Sequence, residues 1–215
     1  MPMQTIPAVT RALLIANVAM FLLQQVAGDW LIAYFALWPI DGSRLFDMSG
    51  GGVLRVAFEP WQPVSYAFLH GGFAHIAFNM LALWMFGGPV EQALGPRRQI
   101  VFYTVCVIGA AFAQLATIHW FKPGDFYPTL GASGGVFGLL LAYAMIYPRA
   151  RIVMLFFPVP IPAPIAVIGY MAIELVLGVT GTQEGVAHFA HLGGAAAGFV
   201  LLRYWLAQAR SRREE

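Results

Sequence analysis

Residues 9–27 carry a single charged side chain, Arg11, and runs of the same kind recur along the whole chain. A helix that crosses a hydrocarbon layer about 30 Å thick needs roughly 20 mostly apolar residues. Repeated runs of that length favour a bundle of membrane helices. A large soluble core is the main competing reading, and composition argues against it. The chain is 60% hydrophobic and only 10% charged, whereas soluble domains average about 45–50% apolar and about 25% charged residues. Such a chain could not cover its own surface in water. Its 14 prolines and 23 glycines fit the same conclusion, because neighbouring helices in a bilayer tolerate both.

Six spans are predicted in one all-α membrane domain over residues 1–215: 9–27, 73–94, 99–118, 133–147, 164–180 and 186–207. The fourth is short. Residues 30–70, between the first two spans, are long and mixed, with Trp30, Tyr34, Trp38 and Trp61 among Asp29, Asp41, Arg44, Asp47, Arg55 and Glu59. Aromatic, amphipathic sequence suits the headgroup region, so this first loop is expected to lie in the interface. Residues 30–40 are too short to span.

Basic residues orient the bundle. With the N-terminus inside, Arg11, Arg97, Arg98, Arg149, Arg151, Arg203, Arg210, Arg212 and Arg213 are inner, while Arg44, Arg55 and Lys122 are outer. This positive-inside bias predicts that both termini face the cytoplasm. The formal charge is only +2 and no broad basic face emerges, so nucleic acid is not an expected partner. Cys106 is the only cysteine; it excludes an intrachain disulfide and reads as a small packing residue. No cleavable signal peptide is expected, since residues 1–11 lack an A-x-A site ahead of the first span.

Strongly polar side chains inside a span are functional suspects. Here they are His75, Asn79, Ser133, Glu174, His188 and His191. Spans two, four and six all run inward, so His75, Asn79, Ser133 and His191 share one outer depth. His75 and Asn79, at i and i+4, lie on one helix face. Ser133 sits in Gly131-Ala132-Ser133-Gly134, where glycine permits a sharp turn and close approach of another backbone. The N–H groups that open span four have no intrahelical partner and can donate to a developing oxyanion. Gly134, Gly138 and Ala142 recur every four residues, and Ala190, Gly194 and Gly198 form a matching stripe. Such stripes let two helices pack backbone to backbone, which would bring Ser133 Oγ within about 3 Å of a His191 ring nitrogen. Gly71, Gly72 and Gly185 border the outer loops and offer slack for water or substrate entry.

These residues resemble the motifs of the rhomboid family of intramembrane serine proteases. Gly131-Ala132-Ser133-Gly134 is similar to the family's G-x-S-G nucleophile motif. Ala190-His191-Leu192-Gly193-Gly194 with Gly198 is similar to its A-H-x-x-G-x-x-x-G motif, and His75 to Asn79 to its H-x-x-x-N motif. Glu91 to Gly95 resembles the E-x-x-x-G stretch that closes the second span, and the likeness covers roughly residues 61–200 plus the first loop. The resemblance implies a six-helix rhomboid-like bundle and a Ser133–His191 dyad with no acidic third member. The lack of any Asp in a span agrees with that. It also implies that Asn79, His75 and the Ser133 backbone N–H stabilise the oxyanion.

The expected function is then a serine endopeptidase that cuts transmembrane segments of single-span or multi-span membrane proteins near the outer face, without cofactor or metal. The expected location is the bacterial inner membrane. Three departures stand out. Gln62 follows Trp61 where the family often has arginine, Phe137 stands where many bacterial members have tyrosine, and Glu174 belongs to none of the motifs.

Structural roles compete with each of these assignments. Ser133 could be a helix N-cap, and His75, Asn79 or His191 an interhelical hydrogen-bonding residue. His70, His119 and His188 are expected at the solvated outer interface. Glu174 is expected to be protonated or paired with a buried donor. A metal-dependent hydrolase would use His188 and His191, at i and i+3, with His70 and His75 nearby, but no H-E-x-x-H motif is present. A non-catalytic binder of membrane helices would be expected to lack the serine or the histidine. A small transporter would be expected to show an inverted repeat.

Overall fold

The structure is a computed structural model that describes residues 5–154, 157–182 and 187–214. The expected start of the last span at Val186, and Gly185 before it, lie outside the described residues. Helix α1 runs Ala8–Phe35, well past the predicted end at residue 27. Ala27 has non-helical torsions (φ −128°, ψ 31°), so the helix kinks there and resumes through residues expected to be loop. Trp30 and Tyr34 stack on the resumed segment with ring centroids 4.9 Å apart. Its last turn is held by the Trp38 indole, which donates to the carbonyls of Ile32 and Ala33 at 3.2 and 3.0 Å. A helix end leaves four carbonyls without intrahelical donors, and here one side chain serves two of them.

The rest of the first loop is folded. Strands β1 (Ser43–Asp47) and β2 (Val53–Ala57) pair antiparallel, followed by the short helix α2 (Gln62–Ser65) and a 3₁₀ turn at Tyr66–Phe68. Gln62, fully buried at the position where the family often has arginine, ties this loop together. Its Oε1 accepts from the Trp38 backbone N–H at 3.1 Å, and its Nε2 donates to the Ala57 carbonyl at 3.1 Å.

Helix α3 (Phe73–Ala82) passes through a π-helical turn (Leu83–Gly87) into α4 (Gly88–Leu94). Glu91 closes this segment against the start of α1, accepting from the backbone N–H groups of Val9 and Thr10 at 2.9 and 2.7 Å and from Thr10 Oγ1 at 2.7 Å. A carboxylate suits a helix N-terminus because the free N–H groups and the helix dipole both favour negative charge there. Helices α5 (Pro96–Phe121), α6 (Ser133–Ile146), α7 (Ala163–Thr180) and α8 (His188–Glu214) complete the bundle. An antiparallel pair, β3 (Arg151–Met154) and β4 (Phe157–Pro162), links α6 to α7.

Among the described residues, four stretches are long and apolar enough to cross a membrane: α1, the α3–α4 segment, α5 and α7. This is an integral membrane protein with a helical bundle. Helix α6 has only 14 residues, about 21 Å at 1.5 Å per residue, and it is walled in by protein rather than presented to lipid. Nine of its residues are buried, and α5 and α8 pack along it. The small-residue stripes account for this. A Cβ at Gly194 would collide with the Gly134 carbonyl, and one at Gly138 with the Cys106 side chain. Cys106 is fully buried in the same seam.

Overpacking a well-filled helix seam costs about 1–3 kcal/mol or more. Gly194→Ala is therefore expected to lower the thermal unfolding midpoint in detergent by several degrees. Gly169→Ala, on α7 with nothing within 4 Å of the added methyl, should leave it unchanged or raise it slightly.

Candidate active site

Ser133 is the first residue of α6. The turn before it depends on Gly131, whose φ is +129°. A side chain is disfavoured at that torsion, and a Cβ would also lie 2.8 Å from the His75 ring. The turn is held in place from the first loop. The Gly131 N–H donates to the Tyr66 carbonyl at 3.0 Å, and the buried Tyr66 hydroxyl donates to the Val107 carbonyl on α5 at 2.9 Å. Two residues upstream, Leu37 and Thr129 exchange backbone hydrogen bonds, each 2.9 Å long.

Packing of α6 on α8 then brings the serine to the histidine. His191 Nε2 lies 2.9 Å from Ser133 Oγ. Phe137, one turn along α6, stacks on the imidazole with centroids 4.2 Å apart and planes 10° from parallel, so the ring expected there fills its place without a hydroxyl. His191 is buried, and Ser133 is half-buried. The N–H groups of Ser133, Gly134 and Gly135 open the helix and have no intrahelical acceptor.

The other two predicted site residues are placed less directly. The His75 ring lies against Gly131 beside the serine turn, and its Nδ1 accepts from the Gly71 N–H at 3.3 Å. Asn79 is buried one turn along the same face of α3, with its amide donating to the His75 carbonyl at 2.9 Å. Its side chain is thus engaged within its own helix.

Three expectations need correction. Neither His70 nor His188 is solvated; their exposures are 3% and 5%. The segment holding His70 is clamped onto α1 by Gln24, which accepts from the His70 N–H at 2.9 Å and donates to its carbonyl at 3.2 Å. Burial, reinforced by the neighbouring His75, pushes the His70 imidazole down to about 4. His119, by contrast, is exposed and pairs with Asp41 at 2.8 Å.

The third correction concerns the acid. The resemblance implies no acidic group behind the histidine, yet the buried Glu174 Oε2 lies 2.8 Å from His191 Nδ1. The same oxygen lies 2.7 Å from His188 Nδ1. The traces of this arrangement in the sequence are a lone carboxyl in an apolar span and two histidines three residues apart. The ligand atoms of Glu174, His188 and His191 lie within 4.8 Å of one another, so among the described residues these three could hold a metal ion.

A family model described as Rhomboid domain matches residues 57–208. Rhomboid protease GlpG of Klebsiella pneumoniae subsp. pneumoniae is 31% identical over 134 residues, which cover 62% of this chain and 41% of that protein. Rhomboid protein 1, mitochondrial, of Saccharomyces cerevisiae is 31% identical over 152 residues, covering 71% and 43%. Rhomboid protease GlpG of Serratia proteamaculans is 28% identical over 204 residues, covering 92% and 62%. The chain thus matches between about two fifths and three fifths of the length of these relatives.

Gly131→Ala both strains the turn and crowds His75. It is expected to slow covalent labelling of Ser133 by a fluorophosphonate by at least about 10-fold, since displacing a reacting atom by about 1 Å costs up to 10²-fold. Retained wild-type labelling would show that the turn does not set the serine's position.

Proposed function

The chain belongs to the rhomboid family, and on that premise we propose that it is an intramembrane serine endopeptidase whose nucleophile is Ser133 and whose general base is His191. One observation carries the reading: a 2.9 Å contact between Oγ and Nε2, under a stacked Phe137, at the opening of a buried helix.

In this mechanism Ser133 Oγ attacks the carbonyl carbon of one substrate peptide bond while His191 Nε2 takes its proton. The tetrahedral oxyanion accepts hydrogen bonds from N–H groups at the start of α6, from Asn79 and from His75. One such donor is typically worth about 3–4 kcal/mol. For Asn79 to contribute, its amide leaves the His75 carbonyl or shares its hydrogens with it. The intermediate collapses, the C–N bond breaks, and His191 gives its proton to the leaving amine. Water then hydrolyses the acyl-serine with His191 again as base, which restores the hydroxyl.

The substrate is a membrane protein whose transmembrane segment unwinds near the outer face. Counting α6 and α8 with the four long apolar segments gives six spans, with both termini cytoplasmic by the positive-inside rule. The bacterial relatives favour the inner membrane as its location. Six spans run as one domain, and the short α6 leaves Ser133 below the outer surface, where water and an unwound substrate can meet.

The test is cleavage of a single-span model protein in liposomes. Ser133→Ala is expected to fold with an unchanged thermal midpoint and His191→Ala to fold with a lowered one, because it takes a hydrogen bond from the buried Glu174. Each is expected to lose at least about 10⁴-fold in rate. Wild-type cleavage is expected to survive a metal chelator. Full activity in either variant refutes the pair. Abolition of wild-type cleavage by the chelator would instead favour metal-assisted hydrolysis at Glu174, His188 and His191.

A further inference from the structure

A carboxyl group in the middle of a membrane helix is costly unless it is paired. Glu174 is otherwise surrounded by apolar sequence on α7, is 4% exposed, and meets two imidazoles through one oxygen. Helix α7 comes close to α8 here, and Gly178, one turn beyond Glu174, faces His188 and Phe189 at a spacing that a larger residue would crowd. These contacts join α7 to the histidine helix. They also act on the histidine itself.

A neutral imidazole carries one proton, and a general base needs it on the nitrogen facing away from the nucleophile. At Nε2, His191 meets a hydroxyl, which can donate or accept and so tolerates either tautomer. At Nδ1 it meets Glu174 Oε2. An ionised carboxylate only accepts, so it selects Nδ1–H and leaves the Nε2 lone pair for the Ser133 proton. Once that proton moves, the imidazolium faces the carboxylate at hydrogen-bond distance.

His188 completes the arrangement as a second N–H donor to the same oxygen. Its Nε2 is buried without a hydrogen-bond partner among the described residues, as expected if its proton is on Nδ1. Two charge-assisted hydrogen bonds are what a buried carboxylate needs to stay there.

We propose that Glu174 is the positioning residue of a Ser133–His191–Glu174 chain, fixing the His191 tautomer and orientation for proton abstraction. The proposal rests on the serine protease reading above. A metal at the same three residues fits less well. Ligands about 2.0–2.1 Å from a tetrahedral zinc stand about 3.3 Å apart, whereas the oxygen-to-nitrogen separations here are 2.7 and 2.8 Å, the lengths of hydrogen bonds.

The test compares wild type, Ser133→Ala and Glu174→Gln in liposomes, with kcat and KM measured on the single-span substrate. Loss of the triad acid's charge costs about 10⁴-fold in kcat where the wrong tautomer is enforced. A glutamine can still rotate its carbonyl towards Nδ1, so kcat is expected to fall on the order of 100-fold. KM should stay within about 2-fold, because an interaction made in the transition state is lost rather than substrate binding. Fluorophosphonate labelling of Ser133 should slow in parallel.

The second measurement needs no variant at Glu174. Nitrogen-15 histidine spectra of the wild type in detergent, with the His191 signals assigned by their loss in His191→Asn, are expected to show a protonated Nδ1 and a bare Nε2. Wild-type kcat in Glu174→Gln, with Ser133→Ala inert, sinks the positioning role and leaves the protease standing. Activity in Ser133→Ala sinks both. If Glu174→Gln fails to fold, the wild-type spectrum decides, and a proton on Nε2 overturns the proposal. A chelator that changes the wild-type kcat makes the cluster a metal site and overturns it as well.

Discussion

The distance between two helix backbones sets the rest of this structure. Helices α6 and α8 meet where Gly134 and Gly138 face Gly194 and Gly198, so closely that a single added methyl at Gly194 would strike the Gly134 carbonyl. Without a hydrophobic force to drive helices together inside lipid, van der Waals contact between small residues takes over. Ser133 and His191 sit one residue before and three residues before the glycines of that contact. Their 2.9 Å separation follows from the backbone approach, because neither side chain is long enough to bridge a wider gap.

The first loop holds the serine turn against this seam. It folds into a hairpin, a short helix and a 3₁₀ turn, and several of its polar groups make specific long-range bonds. Gln62 joins Trp38 to Ala57, Tyr66 joins Gly131 to α5, and Leu37 pairs with Thr129. The fold thus supports a buried, glycine-dependent turn from a part of the chain about 65 residues away in sequence, at Tyr66 relative to Gly131. At the other end Glu91 anchors α1 to α4 through three hydrogen bonds to Val9 and Thr10.

Three buried ionisable side chains meet at the histidine. Glu174, His188 and His191 form one hydrogen-bonded group whose parts come from α7 and α8. In a low-dielectric surround such groups must satisfy one another, and that requirement constrains how α7 can pack. The motifs that carry the family resemblance give no reason to expect a carboxylate there. Phe137 fills the other face of the imidazole without adding a polar atom. The ring of His191 is therefore held by a flat apolar contact, a hydroxyl and a carboxylate, each from a different direction.

Apolar run length, the small-residue stripes and the glycines around Ser133 are local properties of the chain. They were sufficient for a helical membrane bundle, and they raised the expectation that two helices pack closely enough to bring Ser133 to His191, which lie 2.9 Å apart. The continuation of α1 past Ala27 was not legible, because the Trp38 indole that holds its end folds back from beyond the helix. Nor was the burial of His70 and His188, whose neighbours are residues distant in sequence. Glu174 shows the division best. Its cost in an apolar span is written in the sequence, which is why it needs a partner. Which partner it finds depends on the rotation of α7 about its own axis against α8, and that angle exists only once the helices have packed.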